Sequence, residues 1–360
     1  MNVLTLNVGS SSLKFGIHRV QQRQAMAVAE GEIDTRDGQK RLLLQDESGQ
    51  STEHAWNGEL DDDSLRKLQQ LAGDEPFGAV AHRIVHGGPA LREHSLIDAE
   101  VLARIEAAAS FAPLHVPAAL RWIRHAQKAL PNAKQVACLD TAFHHPLPDL
   151  SRVLPLPREL QAKGIERYGF HGLSCESIVA QLDVMPERLI IAHLGSGASL
   201  TAVRRGKSVD TSMGMTPTGG IIMGTRPGDL DPGVMLFLMR EGHAGPRELE
   251  DLLEHRSGLR GISGVSADMR ALREAAGNAS AELALEQFTL SVAREAAAMA
   301  VVLGGIDLLV FTGGIGEHDG ATRERVAAWL APCFGNLRTR VLPAQENHVM
   351  ALHAARLAAA

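Results

Sequence analysis

Leu4-Thr5-Leu6-Asn7-Val8-Gly9-Ser10, near the start of the chain, is echoed by Ile190-Ile191-Ala192-His193-Leu194-Gly195-Ser196. In each copy a short apolar run ends in a Gly-Ser turn and a second apolar strand follows. Residues 2–8 and 13–19 are therefore expected to be strands joined at Gly9-Ser10-Ser11-Ser12. An echo at this distance predicts two domains of similar origin. A third glycine turn, Thr312-Gly313-Gly314-Ile315-Gly316-Glu317, follows the apolar run 308–311 and precedes a helical stretch near 322–330. Strand, glycine turn and helix in that order present backbone N–H groups to an anion. Gly and Ser leave the approach unblocked, so a phosphate can be enclosed by main chain. One such turn usually only links a hairpin, but three of them favour a phosphate-handling cleft. Neither GxxxxGK[ST] nor GxGxxG occurs here, which excludes the P-loop and dinucleotide routes.

Working outward, a strand is expected over 26–33, helices near 66–71, 98–111 and 117–130, and a strand over 135–139. The Ala-rich stretch 281–303 reads as a long helix buried between neighbours. Glu59-Leu60-Asp61-Asp62-Asp63 reads as a solvated loop and helix start. The 360 residues, 45% of them hydrophobic, suffice for two ordinary cores. With 36 Lys and Arg against 42 Asp and Glu, the net charge of -6 repels a nucleic-acid backbone. No basic n-region precedes an apolar core, and no window approaches the ~20 apolar residues of a membrane span. Cys138, Cys175 and Cys333 are odd in number and lack CxxC spacing. A cytoplasmic protein is expected.

Asn7-Val8-Gly9-Ser10-Ser11-Ser12-Leu13-Lys14 resembles the N-terminal signature of acetate kinases. Asp210-Thr211-Ser212-Met213-Gly214-Met215-Thr216-Pro217, with Met223-Gly224-Thr225-Arg226-Pro227-Gly228-Asp229-Leu230-Asp231-Pro232, resembles the second signature. His82-Arg83-Ile84-Val85-His86-Gly87-Gly88, Pro113-Leu114-His115, Asp140-Thr141-Ala142-Phe143-His144 and Tyr168-Gly169-Phe170-His171-Gly172 also match. The resemblance runs along nearly the whole chain. It implies an α/β fold of two duplicated actin-like (ribonuclease H-like) domains around a nucleotide cleft, paired as a homodimer. The N-terminal domain would cover 1–144 plus about 348–360 and the C-terminal domain 145–347. The implied reaction passes the γ-phosphoryl group of ATP reversibly to acetate or a close short-chain acid such as propionate, giving acyl phosphate and ADP.

Transfer to a carboxylate needs positioning and charge neutralisation more than a general base, because the acceptor is already ionised. Guanidinium forks match phosphate and carboxylate oxygens, which makes Arg83 and Arg226 the candidates. The resemblance gives them that role, with His171 as donor to the transferring phosphoryl group and Asp140 as a further catalytic residue. It places Asn7, Asp140 and Glu346 at Mg2+, for which Mn2+ can substitute. Val85, Leu114, Phe170 and Pro217 would surround the acyl tail beside Arg83. Ser12, Lys14, His193, Gly195, Ser196, Gly197, Asp268, Met269, Arg270, Gly314, Ile315 and Gly316 would bind the nucleotide.

The family pattern breaks at several positions. Ser196 stands for a usual Asn and Cys175 for a usual His, both expected near the phosphate path. Met269 replaces Phe, His318 replaces Asn, and Thr218-Gly219 replaces a common Leu-Glu. Asn347 stands where a second acid normally follows Glu346. These departures motivate a second reading, a catalytically decayed nucleotide-binding protein of the same fold. A sugar kinase, whose hydroxyl acceptor calls for a carboxylate base, is disfavoured by the two signatures. His86, His115, His144 and His145 are given no catalytic role.

Overall fold

The computed structural model describes residues 1–8, 13–22, 24–36, 39–46, 49–56, 62–72 and 75–360. The turn at 9–12, with Ser12, and residues 59–61 of the acidic cluster lie outside these. The chain divides into two compact units, one of Met1–His145 with Gln345–Ala360 and one of Pro146–Ala344.

In the first unit the strands are β1 (Asn2–Val8), β2 (Leu13–Gln21), β3 (Gln24–Arg36), β4 (Gln39–Asp46), β5 (Ser51–Ala55), β6 (Phe77–Ile84), β7 (Ser95–Leu96) and β8 (Lys134–Leu139). They form one sheet in the order β5-β4-β3-β2-β1-β6-β8-β7. β1 pairs antiparallel with β2, setting Asn7 opposite Lys14, and parallel with β6. β6 in turn runs parallel to β8, with Arg83 opposite Cys138. Leu4, Leu6, Val80 and Val136 on these central strands are all fully enclosed. One face is covered by Leu65, Leu68, Trp122 and Ala126 from the helices Asp62–Leu71 and Val116–Ala129. The C-terminal helix Glu346–Ala358 returns to this unit and packs against β1, β6 and β8. β5 was not anticipated, because it is exposed throughout and carries no apolar alternation, and β4 was not anticipated either, its apolar residues being only the run Leu42 to Leu44.

The second unit has β9 (Arg188–Leu194), β10 (Ala198–Arg204), β11 (Lys207–Thr211), β12 (Leu308–Thr312) and β13 (Thr339–Val341), in the order β11-β10-β9-β12-β13. Its central strand pairs antiparallel on one side and parallel on the other. The order β3-β2-β1-β6-β8 of the first unit has the same directions, so the two echoed segments occupy equivalent central strands. The helix Ala279–Leu303 buries Ala281, Ala284, Phe288, Val292, Ala296 and Ala300 on one stripe, as the Ala-rich pattern suggests. Asn278 caps its first turn and Gly304, at φ 76°, ends it in the left-handed conformation.

Two local expectations need correction. The third glycine segment is not a turn between strand and helix, since Gly313–His318 is itself a short helix. Gly313 adopts φ 76° against the carbonyl of Leu194, and the Glu317 carboxylate folds back to accept its N–H at 2.9 Å. Asp62 is not solvated: it is 8% exposed, and its carboxylate meets His125 Nδ1 at 2.6 Å and Lys128 Nζ at 2.5 Å. Those partners hold its carboxyl below the ordinary range, Lys128 chiefly and then His125.

Candidate active site

Parallel strands expose their carboxyl ends side by side, which is where an α/β sheet assembles polar groups. In the first unit Asn7 lies near the end of β1, Arg83 near the end of β6 and Asp140 directly after β8. The Asp140 N–H donates to Ile84 O at 3.0 Å, which ties the two strand ends together. Arg83 Nε donates to both Asp140 oxygens at 3.0 Å, its Nη2 to Oδ2 at 2.6 Å and its Nη1 to Asn7 Oδ1 at 3.1 Å. Glu346, which opens the C-terminal helix, brings Oε2 to 3.8 Å from Arg83 Nε. Burial opposes the guanidinium charge, but Asp140 and Glu346 outweigh it and hold the Arg83 pKa above its usual value. Asn7, Asp140 and Glu346 are all hard oxygen donors, the ligand type that Mg2+ takes, so the set suits that ion.

Asn347 now has a physical account. Its Nδ2 donates to Glu30 Oε1 at 3.2 Å and its Oδ1 accepts from Thr5 Oγ1 at 3.1 Å. An acid there would oppose the Glu30 carboxylate. Lys14 is exposed on β2 with Nζ 3.9 Å from Glu32. Val85 follows β6 half-buried, whereas Leu114 is 46% exposed. His86, buried, accepts from the Gly88 N–H at 2.8 Å, which is a structural role.

The second unit carries its own cluster at the end of β9. His171 holds φ 58°, unusual for a side-chain-bearing residue, just before the helix Gly172–Ala180. Its ring stacks on His193 at 4.2 Å between centroids, and its Nδ1 is hydrogen-bonded to Ser199 Oγ at 3.0 Å. His193 is fixed in turn by Ser174 Oγ at 2.8 Å. The next turn, 195–197, closes with Gly195 N–H on Gly197 O at 3.1 Å. A Cβ at Gly197 would lie 3.5 Å from both His171 Nε2 and Arg226 Nη1, so both side chains face this turn. Arg226 is held by Glu254, whose Oε2 accepts from Nε at 2.7 Å, and by Pro217 O at 3.3 Å from Nη1.

The remaining predicted residues differ in what they offer. Ser196 is exposed, and its carbonyl accepts from Gly224 N–H at 3.2 Å. Gly314 has open space where a side chain would be. Asp268 uses its carboxylate to cap Arg270 and Ala271 N–H, Met269 is buried at 6% exposure, and Arg270 is exposed. Ile315 is half-buried and Gly316 buried. Phe170, 1% exposed, is core packing for most of its surface, while Pro217 is half-buried. Cys175, expected near the phosphate path, is 1% exposed, with Sγ donating to Thr201 Oγ1 at 3.5 Å.

A model of the acetokinase family matches residues 2–336. The chain belongs to the acetokinase family. It is 41% identical over 345 residues to the acetate kinase of Rhodopseudomonas palustris (strain TIE-1), covering 91% of this chain and 86% of that protein. Among solved structures it resembles a propionate kinase from Francisella tularensis subsp. tularensis SCHU S4 at TM-score 0.90 and 32% identity, with 99% of both chains covered. The Porphyromonas gingivalis acetate kinase aligns at TM-score 0.86 and 32% identity, again over 99% of both chains. The two-sheet α/β architecture is that of these acetokinase structures. Not marked by the sequence were Glu254, Ser199 and Ser174, which lie outside the signature segments, and Glu317, which closes the third glycine segment but was given no role. Each is recognised only by the group it touches.

Proposed function

We propose that this chain catalyses reversible transfer of the γ-phosphoryl group of ATP to acetate or a close short-chain acid. One observation carries this beyond family membership: both oxygens of Asp140 are engaged by Arg83. A carboxylate so bonded is a poor proton acceptor, which disfavours a hydroxyl substrate and suits an acceptor that arrives ionised. In this reading an acceptor oxygen attacks the γ-phosphorus in line, the bond to the bridging oxygen breaks with its electrons going to ADP, and no proton moves. Arg83 and Arg226 bind the developing charge as guanidinium forks, and His171 donates to the transferring oxygens. Asn7, Asp140 and Glu346 would hold Mg2+, which would supply neutralisation of the phosphate charge. Gly314 leaves room for the nucleotide base.

Val85, Leu114, Phe170 and Pro217 receive the acyl tail. One methylene there separates acids by only ~1–3 kcal/mol, so acetate and propionate both react, at different rates.

The helix Pro232–Arg240 buries none of its residues, and Val234, Leu236, Phe237 and Met239 are 41%, 59%, 51% and 49% exposed. An apolar face of this kind supports an isologous homodimer. No helix among the described residues is long and apolar enough to cross a membrane, and none of the three cysteines forms a disulfide. The lack of disulfides, together with the acidic charge, supports the cytoplasm as its compartment.

The test is hydroxamate trapping of acyl phosphate from purified protein, Mg-ATP and acetate, propionate or butyrate, against a no-acid control. Acid-dependent product supports the proposal. Retained Mg-ATP binding without product from any acid replaces it with a decayed nucleotide-binding protein.

A further inference from the structure

We infer that Glu254 is the positioning residue for Arg226, an inference that rests on the phosphotransferase reading above. Both of its carboxylate oxygens are used: Oε2 accepts from Arg226 Nε at 2.7 Å, and Oε1 accepts from Thr218 Oγ1 at 2.5 Å. The pair is largely enclosed, with side-chain exposures of 20% for Arg226 and 14% for Glu254. Glu254 thus takes the inner edge of the guanidinium. Among the described residues Nη2 has no acceptor, and Nη1 is turned to the Gly195–Gly197 turn and His171. The outer edge stays available to oxyanions.

The main chain enforces this arrangement. Glu254 lies on a single π-helical turn, Leu252–Arg256, a distortion that recurs at functional sites. Its carbonyl accepts from Thr225 Oγ1 at 2.7 Å, and the Ser257 N–H donates to Thr225 O at 2.9 Å. Gly258, at φ 62°, permits the close approach, since a Cβ there would sit 2.2 Å from Met223 O and 2.6 Å from Arg226 O. The segment bearing Glu254 is thereby fastened along the one bearing Arg226.

The departure at Thr218-Gly219 acquires a reason here. A side chain at 219 would meet Asp229 Oδ1 at 3.1 Å, so an acid is disfavoured there. Thr218 supplies the hydroxyl that secures the second oxygen of Glu254. The counter-charge for Arg226 is supplied from residue 254, and a hydroxyl-bearing residue at 218 belongs to the same device.

The test compares Glu254→Ala, Glu254→Gln and Thr218→Val. A glutamine can still bridge, its Oε1 accepting from Arg226 Nε and its Nε2 donating to Thr218 Oγ1. Glu254→Ala is expected to lower kcat about 10–100-fold with KM for the acid changed little, since a loosened fork misplaces the transferring group. Glu254→Gln restores most of that loss and Thr218→Val falls between, both with thermal midpoints near wild type, whereas Glu254→Ala, which strips Arg226 of its counter-charge, lowers the midpoint and is assayed well below it. An activity-independent readout is the Arg226 Nε–H signal in 1H–15N spectra, assigned by its disappearance in Arg226→Lys. Protection from solvent exchange should be lost in Glu254→Ala and kept in Glu254→Gln. Full kcat, or an unchanged Nε–H signal, in Glu254→Ala overturns the inference. A wild type making no acyl phosphate overturns the functional reading, while the same pattern of Nε–H protection upholds the positioning.

Discussion

Arg83 and Asp140 meet edge to edge, with Nε 3.0 Å from both carboxylate oxygens and Nη2 2.6 Å from Oδ2. Asp140 is 1% exposed, so its charge depends on this partner. Arg83→Ala should therefore destabilise the fold as well as abolish turnover. The cost is up to about 3 kcal/mol, the low end for buried pairs because Arg83 remains 20% exposed. The double variant Arg83→Ala with Asp140→Ala should recover much of the stability and none of the activity. Urea unfolding beside acyl phosphate assays measures both, and additive destabilisation in the double variant contradicts the coupling.

Gly313 and Gly314 are neighbours with opposite constraints. Gly313 has φ 76° and its Cβ would fall 2.8 Å from Leu194 O, so Gly313→Ala should lower stability by about 1–3 kcal/mol. Gly314 has nothing within 4 Å of its Cβ position. Gly314→Leu should leave the melting temperature unchanged and raise KM for ATP several-fold. An unchanged KM would remove Gly314 from the nucleotide site.

Phe237 is 51% exposed on a helix without a buried residue. If that face pairs two copies, Phe237→Asp places a charge in an apolar interface and should yield monomers. Light scattering coupled to gel filtration reads the mass directly. A wild-type monomer near 38.5 kDa would refute the dimer.

Burial is the main reason the pKa of His18 drops to about 4, with His348 adding to it. Burial likewise brings His82 to about 4, against the hydrogen bond its Nε2 donates to Gln135 Oε1. Both are bases held neutral in the folded state, whereas the unfolded chain takes up protons near pH 6.5. Their contribution is complete above pH 6.5 and is lost as pH falls from 6.5 towards 4. The slope is about 1.4 kcal/mol per pH unit for each group. Denaturant titrations across that window should show it, and His18→Asn or His82→Asn should each flatten the profile by one such share. A profile as steep in both variants as in wild type contradicts the assignment.

The central strands of both sheets were legible because 2–8 alternates apolar and polar residues up to its Gly-Ser turn and the run Ile190-Ile191-Ala192 leads to the same turn in the echo. The long helix Ala279–Leu303 was legible from its Ala-rich stripe. β5 was not, since an exposed strand carries little periodic signal, and β4 was not, its apolar residues being the single run 42–44. The Gly313–His318 helix was masked by its glycines, whose usual preference for turns is overridden here by the Glu317 cap and the contact with Leu194.

By itself the sequence determined the two-domain α/β plan, the repeat, and the residue types at Arg83, Asp140, His171 and Arg226, because strand runs and signature segments are local patterns. Only the tertiary structure decided their partners. Arg83 meets Asp140 across 57 residues, Arg226 meets Glu254 across 28, and Asn347 meets Glu30 across 317. Such pairings follow from strand register and the approach of distant segments. A side chain's type says which partners it can accept, and the folded backbone alone selects the one it gets.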